Sequence, residues 1–230
     1  MRPRLESVRC TILILLALSC FISSALAAET EIEILTAAAE QGDADAQFRL
    51  ASCFDYGCGA QQDRKLAVVW YKKAAEQGHA NAQNSLGSLY QAGEGIEQDY
   101  AEAHHWYESA ADNGLPQGLH NLAYMYDLGL GVPEDNVKAL HLYRRAAEGG
   151  HVEAMFNIGL TYAVGADVQR DYETAYMWLD LARFYTQRSE DTHLKWQVRG
   201  YLDEVERHMT APQIRAAKSR SSAWHTIHGQ

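Results

Sequence analysis

An all-α superhelical solenoid is the fold this sequence predicts, and three observations carry the prediction. The segment WYKKAAEQGHANAQNSLGSLY (70–90) returns 36 residues later as WYESAADNGLPQGLHNLAYMY (106–126), and again as LYRRAAEGGHVEAMFNIGLTY (142–162). Glycines keep the same interval, at 42, 78, 114 and 150, at 57, 93, 129 and 165, and at 59, 95 and 131, with Asp167 in the fourth place. Between them, large apolar residues recur at helical spacing. Units of this length cannot bury their apolar faces alone, and stacking buries them against their neighbours.

The N-terminus is read first. Arg2, Arg4 and Arg9 precede an apolar run, TILILLALSCFI (11–22), and a small-residue site at Ala25-Leu26-Ala27. That is the form of a secretory signal peptide over residues 1–27, cleaved after Ala27, and the run is too short to span a bilayer comfortably. A periplasmic or secreted chain is expected, touching a membrane only through a partner or an uncleaved signal. Residues 28–43 match only the second half of a repeat and read as an N-terminal capping helix.

Four units follow, at 44–79, 80–115, 116–151 and 152–187. In the second, Ala82, Leu86, Leu89 and Tyr90 share one helix face. Leu50, Leu122 and Ile158 repeat the Leu86 position, and Phe54, Tyr126 and Tyr162 repeat Tyr90. Gly93 and Gly95 permit a tight reversal. Asp99, matched by Asp63, Asp135 and Asp171, is placed to cap a second helix. That helix carries Ala103, Trp106, Tyr107, Ala110 and Ala111 and ends at Gly114. The column Ala67, Ala103, Ala139 and Ala175 lets paired helices approach. Trp70, Trp106, Leu142 and Trp178 fill the space between neighbours.

After residue 187 the period stops, and 188–230 reads as capping helices and a tail. Leu194, Val198, Tyr201, Leu202, Val205 and Met209 mark a longer amphipathic helix. Thr210-Ala-Pro-Gln213 has capping-box form with proline in the first turn, so another helix starts there. Ile214, Ala217 and Trp224 can dock it, and residues 225–230 are expected to fray.

The pattern A-x-x-x-L-G-x-x-Y-x-x-G-x-G-x-x-x-D-x-x-x-A-x-x-W-Y-x-x-A-A-x-x-G, matched throughout by Ala82 to Gly114, resembles the Sel1-like repeat, a relative of the tetratricopeptide repeat. Residues 44–187 carry it. The departures are Asp167 for a glycine, Gly118 for an alanine, and Cys53 and Cys58 in the first unit. The resemblance implies a right-handed superhelix of helix–loop–helix repeats with helical caps. It also implies a scaffold or adaptor for protein complexes, often in bacterial envelopes.

Without residues 1–27 the chain carries 17 Lys and Arg against 29 Asp and Glu, a formal charge of −12. Nucleic acid and anionic membrane both demand a positive face, so neither is an expected partner. A protein or peptide with basic segments is. Cys53 and Cys58 are candidate disulfide partners. A straight helix would hold them too far apart, while a bend at Gly57 would bring them together. No Ser-x-x-Lys, H-E-x-x-H or P-loop occurs. His104 and His105 point to different sides of a helix, and His225 and His228 lack a further ligand, so neither a metal nor a cofactor is expected. His79 and His151 read as helix caps.

What remains is the concave surface, which the first helix of each unit lines in tetratricopeptide-like solenoids. The residues avoiding the packing columns are Phe48, Ser52 and Asp55, then Asn84, Ser88 and Gln91, then His120, Tyr124 and Asp127, then Phe156 and Leu160. They differ from unit to unit, as a peptide-reading groove requires. The alternative is an envelope hydrolase or cell-wall-fragment binder, with Asp55, His120 and Asp127 as its acid–base candidates.

Overall fold

The computed structural model describes residues 32–165, 167–187 and 191–229, and the expected leader at 1–27 lies outside them. These residues form helices without strands. Helix α1 occupies 32–40. The paired helices of the units follow as α2 (Ala44–Tyr56) and α3 (Arg64–Glu76), α4 (Ala80–Ala92) and α5 (Tyr100–Asp112), α6 (Pro116–Leu128) and α7 (Asn136–Glu148), α8 (Val152–Val164) and α9 (Tyr172–Thr186). Helices α10 (Thr192–Glu206) and α11 (Ala211–His228) complete the chain. From α2 to α9 each helix packs on its partner within the unit and on the next helix in sequence, which makes the molecule a solenoid, and α10 and α11 both pack on α9.

The capping residues act as their chemistry dictates. The carboxylates of Asp63, Asp99, Asp135 and Asp171 accept from the backbone N–H groups of Leu66, Ala101, Lys138 and Thr174, at 3.0, 2.8, 2.9 and 3.0 Å. Each satisfies an orphan donor at the start of a second helix. His79 and His151 cap α4 and α8, their Nδ1 atoms accepting from Ala82 and Ala154.

The second loop glycine is set by space as well as by backbone angle. A Cβ at Gly95 would lie 2.6 Å from the Arg64 backbone, and one at Gly131 would lie 2.5 Å from Tyr100 Cβ. In the fourth unit Asp167 takes that left-handed place at φ 52°, and its carboxylate accepts from Asn136 Nδ2 at 2.8 Å. A hydrogen bond to the preceding unit thus replaces a close backbone approach.

The core runs along the seams. Leu50, Leu86 and Ile158 are fully buried, and so are Ala67, Ala103 and Ala175. Trp70, Trp106, Leu142 and Trp178 are also buried. Leu194, Val198, Leu202 and Val205 turn one face of α10 inward, while Tyr201 stays half outside. At the start of α11, Gln213 Oε1 accepts from the Thr210 amide at 2.8 Å, completing the capping box. The tail departs from expectation, because α11 continues to His228. Two contacts hold it there: Trp224 packs edge-on to Trp178, and His225 Nδ1 meets the Tyr185 hydroxyl at 2.8 Å.

Cys53 and Cys58 bring their sulfurs to 2.7 Å, as a bend of the chain between them requires. Gly57, left-handed at φ 78°, turns the chain back between them.

Candidate interaction face

Side chains bridge the first helices of successive units directly, so these helices form the closely packed side of the array. Asn121 Nδ2 donates to Asn84 Oδ1 at 2.9 Å, across from α6 to α4. Asn157 Nδ2 meets His120 Nε2 at 3.2 Å, across from α8 to α6. With that nitrogen accepting, His120 carries its proton on Nδ1 and donates it to Asn121 Oδ1 at 3.3 Å. A continuous hydrogen-bonded chain therefore runs Asn157, His120, Asn121, Asn84 over three units.

His120 also stacks on His151, ring centres 4.4 Å apart. His151 Nε2 donates to Gln117 Oε1 at 2.7 Å, and its Nδ1 accepts from the Ala154 amide. Burial pushes the His120 imidazole below its usual range and that of His151 down to about 3, helped in the second case by the neighbouring ring. The close approach of Glu153 to His151 is thus no ion pair at neutral pH, since the ring it meets is uncharged.

Three tyrosines on the second helices consume the acceptors nearest the loops. Tyr71, Tyr107 and Tyr143 are each almost fully buried. Their hydroxyls donate to Asp55 Oδ2, Gln91 Oε1 and Asp127 Oδ2 at 3.4, 2.8 and 3.2 Å. The separation is 16 residues in each of these three units. Burial raises the Tyr71 and Tyr107 hydroxyls to about 12, so they stay protonated donors.

This arrangement corrects part of the sequence expectation. Asp55 is not presented in a groove. It is 6% exposed, held by Tyr71 and paired with Arg64 Nε at 3.4 Å. Phe156 is not presented either. It is 7% exposed and packs against Tyr201, because α10 folds over the first helix of the fourth unit. Ser52 donates to the Phe48 carbonyl, and Phe48 stacks on His79 at 4.6 Å. Ser88 and Tyr124 are exposed, Asn84 and His120 are half-buried, and Gln91 and Asp127 show only part of their side chains. Asp127 lines a cavity of about 180 Å³ with Asn136, Asn157, Leu160, Thr161 and Val164.

The acid–base trio does not assemble. Asp55 and Asp127 sit two units apart, each bound to its own tyrosine, and both His120 nitrogens face amides. Among the described residues no three His, Cys, Asp or Glu side chains are grouped to hold a metal ion. Sequence reasoning missed Asn121 and Asn157, which stand at one repeat position, and the Tyr71, Tyr107, Tyr143 column. The 36-residue spacing and the fixed acceptor 16 residues upstream were the signals available.

Solved structures give the context. A Sel1 repeat protein from Oxalobacter formigenes superposes with a TM-score of 0.65 at 29% identity, over 80% of this chain and 74% of that one. The protective antigen c5321 of uropathogenic Escherichia coli, described as displaying an SLR fold, superposes with a TM-score of 0.54 at 26% identity. That likeness covers 86% of this chain and 48% of the antigen. No curated protein matches the chain. The Sel1 repeat family matches residues 44–79, 80–115, 116–151 and 152–183, well over half of the sequence, and the chain belongs to that family.

Proposed function

We propose that this chain is an interaction scaffold of the bacterial cell envelope that holds a protein or peptide along the inner face of its repeats. Sel1-repeat proteins are in general protein-interaction scaffolds. The supporting observation is a contrast between positions. The packing columns repeat one chemistry, whereas Asn84, Ser88, His120 and Tyr124 stand on the same rigid helices, at least partly open to solvent, with four different chemistries. A preformed face of this kind orders little on binding, so more of the contact energy appears as affinity. Residues 28–180 carry 24 Asp and Glu against nine Lys and Arg, which favours a partner with basic segments. The leader at 1–27 supports export to the periplasm or beyond.

Crosslinking in intact cells, followed by recovery through tagged wild type or a Ser88→Arg/Tyr124→Ala variant, tests the reading. Both sites are exposed, so the variant should fold, and circular dichroism checks that it does. A partner recovered by the wild type and lost by the variant supports the inner face. Equal recovery by both overturns it. The intact mass of the exported chain reports the leader: a start at Ala28 is expected, and a retained Met1 counts against export by cleavage.

A further inference from the structure

Glycines inside the helices of this fold have a packing reason, with one exception. A Cβ would lie 2.8 Å from the Tyr107 ring at Gly87, 2.6 Å from Ala110 Cβ at Gly118, and 2.6 Å from Leu179 Cγ at Gly159. At Gly200, in the middle of α10, it would meet nothing within 4 Å. Glycine costs a helix stability relative to alanine, and nothing in this chain's own packing accounts for it here. One turn earlier on the same face stands Trp196, 82% exposed, the most exposed large apolar side chain among the described residues. Lys195, Trp196, Arg199, Gly200 and Asp203 together line an open notch of about 440 Å³.

We propose that this face docks a second copy of the same chain, through a two-fold contact between α10 and its counterpart. Trp196 and Gly200 are separated by about 6 Å along the helix axis. Antiparallel helices related by a two-fold at the level of residue 198 set each Trp196 over the other copy's Gly200. The tryptophan is the knob, and the missing side chain is the hole. The same register brings Lys195 within reach of the second copy's Asp203. The ion pairs of α10 run from Glu204 to Arg207 and His208. Lys195, Arg199 and Asp203 take part in none among the described residues.

A single helix face that holds knob and hole, and both signs of charge, is self-complementary, which is what a two-fold interface requires. The acidic chain as a whole opposes self-association, but residues 181–230 carry eight Lys and Arg against five Asp and Glu. A contact made there avoids the repulsion. One helix pair is a small interface, so the dimer is weak and forms reversibly with concentration. The dimer itself rests on α10 alone and stands or falls apart from the inner-face reading.

Sedimentation velocity of the purified chain over about a hundredfold range of concentration tests this. The wild type is expected to shift from monomer to dimer. Trp196→Ala and Gly200→Leu are each expected to raise the dissociation constant about tenfold or more. Leucine at 200 fills the hole while favouring the helix, so its monomer should resist denaturant at least as well as the wild type. Lost dimer in that variant therefore reports the interface and not the fold. Lys195→Asp should weaken the dimer, and Lys195→Asp/Asp203→Lys should restore it. A chain that stays monomeric throughout, or a dimer that Gly200→Leu leaves intact, overturns the proposal.

Discussion

Nε2 of Gln77 donates to Oε1 of Gln47 at 2.7 Å, and one repeat later Asn113 Nδ2 donates to Gln83 Oε1 at 2.8 Å. Both acceptors are buried glutamines, whose own amides donate back to the carbonyls of Ala39 and Ala75 at 2.9 and 3.1 Å. One side chain thus ties the end of the preceding helix to the end of the following one. In the third and fourth units Leu119 and Met155 take this place, and the seam is apolar. Both solutions satisfy the rule that a buried polar group must be paired or absent. Gln83→Ala loses both bonds and opens a cavity, so it should cost about 2 kcal/mol in urea unfolding. Gln83→Leu, which copies the third unit, should cost less than half as much.

The tyrosine column gives a prediction with a pH dependence. Burial holds the Asp127 carboxyl above its usual range, although the Tyr143 hydroxyl partly offsets this. An acid whose pKa is raised by folding binds more protons folded than unfolded in that window, so its contribution to stability falls as pH rises through it. At neutral pH Asp127 is therefore a net burden. Asp127→Asn keeps an acceptor for Tyr143, as Gln91 does for Tyr107. It should leave stability at pH 7 unchanged or higher and steepen the acid limb of the stability profile, because the stabilisation Asp127 gains as it is protonated is lost. Tyr143→Phe should instead cost about 1–2 kcal/mol, because it leaves the carboxylate without its donor.

The stacked histidines act in the opposite sense. Both imidazoles titrate lower in the folded chain than the usual value near 6.5. The unfolded chain then binds more protons below that value, so the stability they contribute is present above it and drains away as pH falls. Glu153 and Asp127 pull His120 weakly the other way and do not reverse the sign. Denaturant midpoints should drop steadily from pH 6.5 towards 4.5. His151→Asn retains a good helix cap and removes the second proton site, so the drop should be visibly shallower.

Much of this fold was legible because its determinants are local and periodic. The capping aspartates, the loop glycines and the Leu, Ala and Trp columns each fixed a place in the unit from sequence alone, and even the capping box at Thr210 was readable. The inner face was less so. Asp55, Gln91 and Asp127 look like free polar groups on a helix surface, and only the tyrosine hydroxyls arriving from the neighbouring helix show them to be spent. Phe156 was misplaced for a similar reason, since the helix that covers it begins more than 30 residues later and lies outside the repeat. Tertiary partners supplied by another element leave no mark on the period of the element they cover.

Helix-interior glycines offer a last test, because propensity and packing predict opposite signs at different positions. Alanine is favoured over glycine by about 1 kcal/mol in a helix interior. At Gly159 the added carbon would meet the branch point of Leu179 at 2.6 Å, and at Gly87 the Tyr107 ring at 2.8 Å. Both neighbours are essentially buried and have little room to retreat, so overpacking of about 1–3 kcal/mol should outweigh the gain. Gly200 has open space, so Gly200→Ala in the monomer should stabilise by nearly the full helix-propensity difference. Thermal melts at a concentration low enough to exclude pairing should rank the three with Gly200→Ala above wild type and Gly87→Ala and Gly159→Ala below it. If all three rise, the helices do not approach as closely as the small-residue seam implies.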